Sequence, residues 1–145
     1  MSLMRYKEQE EFYVISMDTK LNVIKCTKLF IGTTTNTLVD SKLVMREAIK
    51  NNASRIIIAH NHPSGEPNPS KEDIEITKCL YDASKIMSIE LLDHVIIGNN
   101  CYYSFFEDNA LEQVTKNKTT KTIKKTFTVT IDDESKNMLL KLSQD

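Results

Sequence analysis

Arg55-Ile56-Ile57-Ile58-Ala59-His60-Asn61-His62-Pro63-Ser64-Gly65-Glu66-Pro67-Asn68-Pro69-Ser70-Lys71-Glu72-Asp73 holds two of the chain's three histidines and all three of its prolines. After Arg55 its next four residues, Ile56-Ile57-Ile58-Ala59, are continuously apolar and mostly branched. A strand buried on both faces has that pattern, which favours helices packed on each side of a sheet. In extended backbone residues i and i+2 point to one side, so His60 and His62, at the end of this strand, present their imidazoles together. Pro63 pushes His62 toward extended backbone, Pro69 does so for Asn68, and each proline fixes its own φ, so residues 60–69 read as a stiff loop. Ser70 then opens a helix over 70–87 with Ile74, Ile76, Leu80 and Ala83 as its apolar positions, and Asp73 falls in its first turn.

Two neutral imidazoles and a carboxylate leave a tetrahedral zinc ion one position for water, which separates a catalytic from a structural site. Bound zinc brings the pKa of that water to about 7, and a separate base must still handle the protons. Each half of the pattern has an ordinary explanation when taken alone. Ser70-x-x-Asp73 is close to a capping box, and H-x-H occurs in hairpins that hold no metal. The ordered set of strand, His-x-His-Pro, rigid loop, Ser-x-x-Asp and helix is far more specific, and it points to one zinc ion held by His60, His62 and Asp73.

Outward from this stretch the pattern alternates between strands and helices. An aromatic and β-branched run at 12–17, turn residues at 18–22 and a second strand-like run at 23–31 predict a β-hairpin across 11–31. Asp40 reads as the N-cap of a helix reaching Asn51 with Leu43, Val44, Ala48 and Ile49 as its apolar stripe. After the 70–87 helix come strands at 91–97 and 101–105, separated by the turn Gly98-Asn99-Asn100. Lys116, Lys118, Lys121, Lys124 and Lys125 then fall in a Thr-rich stretch without apolar periodicity, followed by an alternating run at 126–131 and a short amphipathic helix starting at Asp132. The expected organisation is a domain over 1–114 and, over 115–145, a Lys/Thr-rich linker with a strand-helix extension. That extension is expected either to cover bare surface of the domain or to pair with another copy of the chain.

Composition bounds the function. At 145 residues the chain is long enough for one well-filled core. Its 19 basic and 20 acidic residues give a net charge of -1, with no overall excess of cations to offer phosphates. Nucleic-acid contact is therefore expected to be weak or indirect, and the tail lysines read as a solvated linker without interleaved aromatics. Cys26, Cys79 and Cys101 form no C-x-x-C pair, which argues against a cysteine zinc site and fits a reducing compartment. The amino end lacks the apolar core of a signal peptide and no apolar run reaches membrane-spanning length, so a cytoplasmic protein is expected.

His60-x-His62-Pro63 followed by Ser70-x-x-Asp73 resembles the JAMM motif of MPN-type (JAB) zinc metalloproteases, and the flanking text resembles their bacterial RadC-like branch. The similar residues are Asp18-Thr19, Gly32-Thr33, Arg46-Glu47-Ala48, 59–65, 69–73 and Leu92-Asp93-His94-x-Ile96-Ile97-Gly98, so the likeness spans about 10–106. It implies an α/β fold, a three-layer α-β-α sandwich with a mixed sheet related to cytidine deaminases. It also implies hydrolysis of a peptide or isopeptide bond in an unidentified peptide or protein substrate. The family's Glu-x-Phe pattern falls on Glu10 as general acid and base, and Glu11 would point to the opposite face of the strand. In the implied mechanism Glu10 takes a proton from the attacking water, Ser70 aids the oxyanion, and Glu10 protonates the leaving amine. His94 is expected to be a buried, hydrogen-bonded histidine rather than a fourth ligand, and Glu47 an ordinary helix glutamate. RadC-like proteins commonly carry a helix-hairpin-helix region and a helix ahead of this glutamate. The present sequence starts a few residues before Glu10, so DNA contact through such a region is not expected. A DNA-repair or mobile-element accessory role and a non-catalytic zinc-binding module are the alternatives. A deaminase is set aside for want of its H-x-E and P-C-x-x-C ligands.

Overall fold

The computed structural model describes residues 9–31, 39–111 and 113. Strand β1 (Glu11–Met17) and strand β2 (Val23–Ile31) form the predicted hairpin, antiparallel, with Val14 opposite Thr27. The turn is held by Asp18, whose Oδ1 accepts from the backbone N–H of Lys20 at 2.8 Å and of Asn22 at 2.9 Å. Helix α1 (Ser41–Lys50) follows, with Asp40 as its N-cap and Asn51 as its C-cap, as the sequence predicts. Then come strand β3 (Arg55–Asn61), helix α2 (Lys71–Met87), strand β4 (Glu90–Ile97) and strand β5 (Tyr102–Ser104).

The five strands make one mixed sheet in the order β2-β1-β3-β4-β5. Only β3 and β4 run parallel, and α2 supplies the long connection that a parallel pair requires. This is an α/β fold with a mixed sheet, as the resemblance implies. Strand β3 lies at its centre, which explains the continuous apolar run of its first half.

Phe12 and Val14 of β1, Ile56 and Ile58 of β3, and Leu91 and Ile96 of β4 pack against Val44, Met45 and Ala48 of α1 and Leu80 of α2. Burying each of these side chains larger than alanine contributes about 1.5–3 kcal/mol, so this layer stabilises the sheet face on which the site is built. Helices α1 and α2 touch each other and share this face. A helical layer on the opposite face does not fall among the described residues, and the expected strand and helix within 115–145 lie outside them too.

Three readings need correction. Strand β3 continues through His60 and Asn61, so the loop begins at His62 and not at His60. In α1, Leu43 and Ile49 are exposed, while Glu47 is buried. Its carboxylate accepts from Thr27 Oγ1 at 3.1 Å and lies 3.6 Å from Lys25 Nζ, tying α1 to β2, so this glutamate is more than a commonplace helix residue. In α2 the inward stripe is Asp73, Thr77, Leu80 and Ser84, while Ile74 is exposed. Residues 73, 77, 80 and 84 share one helical face, and all but one of them are polar.

Candidate metal centre

The end of β3 places the first two predicted ligands. His60 still belongs to the sheet, with Phe12 of β1 beside it on one flank and Ile96 of β4 on the other. The backbone N–H of His62 donates to Ile97 O at 3.0 Å, so the chain stays docked on β4 for one more residue. The following loop is clamped to the β4–β5 turn. Asn99 N donates to Gly65 O at 2.9 Å, and a Cβ on Gly98 would stand 2.3 Å from that carbonyl oxygen. Gly65 itself has φ +82, which an L side chain would strain.

Ser70 then caps α2 in a full capping box. Asp73 N–H donates to Ser70 Oγ at 3.1 Å, while the Asp73 carboxylate accepts from Ser70 N–H and from the Ser70 hydroxyl, each at 2.7 Å. The same turn swings Asp73 back over the strand end. His60 Nε2 lies 3.0 Å from Asp73 Oδ1, His62 Nε2 lies 3.2 Å from Asp73 Oδ2, and the two Nε2 atoms are 3.0 Å apart. Capping and ligand placement are thus one structure, not alternatives.

These residues fit a zinc ion. Bonds of about 2.0–2.1 Å in a tetrahedral arrangement set ligand atoms roughly 3.3 Å from one another; here the two Nε2 atoms are 3.0 Å apart, each faces a different oxygen of Asp73, and one ligand atom from each residue lies within 4.8 Å of the others. Both histidines also have the other ring nitrogen engaged, as ligating histidines do. His62 Nδ1 donates to Glu66 O at 2.8 Å, and His60 Nδ1 lies 2.9 Å from Nε2 of His94. Among the described residues, His60, His62 and Asp73 are the cluster of three able to hold an ion.

Electrostatics favour the ligating forms unevenly. Burial pushes the Asp73 carboxyl up, but its close contacts with the imidazoles of His60 and His62 outweigh it and hold the group well below the usual carboxylate range. His62 is raised above its ordinary 6.5, first by its hydrogen bond to Asp73 and to a lesser extent by the charges of Asp73 and Glu10. His94 is fully buried, and desolvation drives it well below the histidine range, so it is neutral. It is the buried, hydrogen-bonded histidine expected from the sequence.

Glu10 is half-buried at the entry to β1. Phe12 stands opposite His60, and continuing that antiparallel register by two residues sets Glu10 beside His62. Glu11 faces away. Its carboxylate accepts from the Tyr13 hydroxyl at 2.8 Å and pairs with Lys28 Nζ at 3.6 Å, on the opposite side of the strand.

Two features escaped the sequence reading. Asn61, which is buried, brackets Glu10: its Oδ1 accepts from Glu11 N–H at 2.8 Å and its Nδ2 donates to Gln9 O at 3.1 Å. A polar residue between two inward histidines on a central strand must find partners across the sheet, and that requirement was the available signal. The second is Thr77, one helical turn beyond Asp73, whose hydroxyl reaches Asp73 O at 2.5 Å and His94 Nδ1 at 2.6 Å.

Comparison with known proteins agrees with this geometry. The RadC-like JAB domain model matches residues 1–113. A UPF0758 protein of Desulfitobacterium hafniense is 45% identical over 111 residues, covering 77% of this chain and 49% of the relative. One from Clostridium tetani is 47% identical over the same length and shares, and one from Thermotoga maritima is 48% identical over 108 residues, 74% of this chain and 49% of the relative. The chain spans about half the length of the curated relatives it matches. A sheet ending in two convergent histidines, an aspartate returned by a capped helix, and a family match over most of the sequence lead to one assignment: this chain belongs to the RadC-like JAB family.

Proposed function

We propose that this domain is a zinc-dependent hydrolase that cleaves a peptide or isopeptide bond, with His60, His62 and Asp73 as metal ligands, Glu10 as the proton carrier and Ser70 as a hydroxyl donor beside the reacting carbonyl. The observation that carries this reading is the convergence of two Nε2 atoms and one carboxylate within about 3 Å of one another, with each Nδ1 tied back into the protein. Zinc held there supplies Lewis acidity and an activated water.

The chain's own residues do the rest. Glu10 takes one proton from the water as its oxygen bonds to the carbonyl carbon, and gives that proton to the amide nitrogen as the carbon–nitrogen bond breaks. Products are a carboxylic acid and an amine. Asn61 holds the backbone on both sides of Glu10 and limits how far its carboxylate drifts. The single Ser70 hydroxyl proton rests on Asp73 Oδ2. To serve the oxyanion it turns toward the substrate, while the backbone N–H of Ser70 continues to support Asp73.

Other parts of the reading follow the same residues. Cys26, Cys79 and Cys101 are free and exposed, which supports a reducing, cytoplasmic setting. No helix among the described residues is long and apolar enough to cross a membrane. On this account nucleic-acid contact is weak, salt-sensitive and confined to Lys116–125, and the partner that matters is a polypeptide.

The test is a screen of zinc-loaded protein against peptide and isopeptide substrates, followed by Glu10→Gln on any substrate cleaved. Zinc occupancy should stay intact and turnover fall by about 100-fold or more, with Glu11→Gln near wild type. Undiminished turnover in Glu10→Gln would reject the proton-carrier assignment. Cleavage that persists after His62→Ala removes the metal would reject the metallohydrolase reading.

A further inference from the structure

We propose that Thr77 and His94 form a fixed hydrogen-bond relay that holds His60 with a proton on Nδ1 and turns its Nε2 lone pair toward the metal position. Both would then be positioning residues of the centre. The inference rests on the metal reading above and deepens it.

The direction of the relay follows from the one member that has no choice. Asp73 O, a backbone carbonyl, can only accept, and Thr77 Oγ1 lies 2.5 Å from it. A hydroxyl has one proton, so Thr77 spends it there. Thr77 Oγ1 is also 2.6 Å from His94 Nδ1, and with its proton committed it must accept, which places a proton on His94 Nδ1. His94 has no solvent exposure, and its ring nitrogens face Thr77 and His60, neither of them a carboxylate. A cation buried in that way is strongly disfavoured, so His94 Nε2 carries a lone pair. That lone pair accepts from His60 Nδ1 at 2.9 Å, and the proton it receives leaves His60 Nε2 to ligate.

The opposite direction fails at its first step. If Thr77 gave its proton to His94, two oxygens would face each other at 2.5 Å with no hydrogen between them. The rings are also kept from rotating out of line. Phe105 stacks on His94 with centroids 5.0 Å apart and planes at 6°, and Phe12 stacks on His60 at 5.8 Å and 16°. The relay starts on the backbone of Asp73, itself a proposed ligand, so the helix that delivers the carboxylate also sets the tautomer of the histidine opposite it.

Two measurements test this. Zinc affinity by chelator competition is compared for wild type, Thr77→Val, which removes the hydroxyl at nearly constant volume, and Thr77→Ser, which restores it. Thr77→Val should bind zinc about 10–100-fold more weakly, and Thr77→Ser should return most of that loss. Nitrogen NMR of the imidazoles in wild type, with and without zinc, should show His94 neutral and protonated at Nδ1. Wild-type affinity in folded Thr77→Val, or His94 protonated at Nε2, would overturn the relay. Wild-type protein that takes up no zinc would overturn the metal reading and with it the purpose assigned to the relay, while the His94 spectrum still decides the direction of the proton chain. Should Thr77→Val not fold, that same wild-type spectrum decides alone.

Discussion

His60 and His62 bring the same imidazole nitrogen to the same point, yet they are held by different means. The side chain of His60 is 1% exposed, sits inside the sheet between two strands, and leans on another side chain, His94. That of His62 is 18% exposed, stands on a loop, and leans on a backbone carbonyl, Glu66 O. Both arrangements fix the tautomer, but the first does so at the cost of two more buried polar residues, while the second needs only a loop that cannot move. A site built this way has one proposed ligand locked by the core and one that can be approached from solvent, beside the position that Glu10 occupies.

The largest expected effect separates stability from metal binding at the two ligands. His60→Ala and His62→Ala should both lose tight zinc binding. Only His60→Ala should also destabilise the metal-free protein, by about 1–3 kcal/mol, because it strands the buried His94 nitrogen. Thermal unfolding after chelation distinguishes them, and equal destabilisation would erase the contrast drawn here.

Ser70 serves the ligand between the two, Asp73. Replacing an N-cap serine by alanine costs about 1 kcal/mol, and by glycine only a few tenths. Turnover should nevertheless fall alike in Ser70→Ala and Ser70→Gly, by about 100-fold, since neither keeps a hydroxyl. Full turnover in zinc-loaded Ser70→Gly would leave the serine a helix cap alone.

A smaller effect should isolate the loop half. A methyl group on Gly98 meets Gly65 O at 2.3 Å, so Gly98→Ala must displace the loop that carries Glu66. Zinc affinity should drop by about 10-fold with the His60 side intact, as read by chelator competition and the His94 nitrogen spectrum. Unchanged affinity would mean that the loop does not position His62.

The mildest test is pH. His62 must lose its proton to ligate, and its pKa lies above the ordinary 6.5. Zinc affinity should therefore fall as pH drops through that raised value, by up to about tenfold per unit for the one proton displaced, and level off above it. Asp73 lies well below the carboxylate range and adds no step near neutrality. An affinity flat from pH 6 to 8 would contradict the sign.

What the sequence disclosed follows the same division. The loop half was legible because its devices are local: Pro63 and Pro69 stiffen the backbone, His60 and His62 alternate correctly for a strand end, and Ser70-x-x-Asp73 caps the helix and returns the carboxylate to the two imidazoles. The hairpin and the N-caps of both helices were legible for the same reason. The buried half was not, because it depends on which face of α2 turns inward. Apolar periodicity placed Leu80, Ile76 and Ala83 against the core correctly but also pointed to Ile74, whereas the helix turns Asp73 and Thr77 to the sheet and leaves Ile74 in solvent. A helix that returns a carboxylate to a proposed metal site spends part of its inward face on polar groups, and a search for apolar stripes overlooks them. Leu43 and Ile49 in α1 were misjudged similarly, with Glu47 buried through partners on β2 that no local pattern reveals. Asn61 could be read only once Gln9 and Glu11 were known to lie alongside it.

The most direct test of the central claim is the metal content of the wild-type protein. Elemental analysis of protein purified without chelator should find one zinc ion per chain, bound through His60, His62 and Asp73. Protein that contains neither zinc nor an equivalent of any other transition metal, and takes up none when zinc is supplied, would contradict the account at its base.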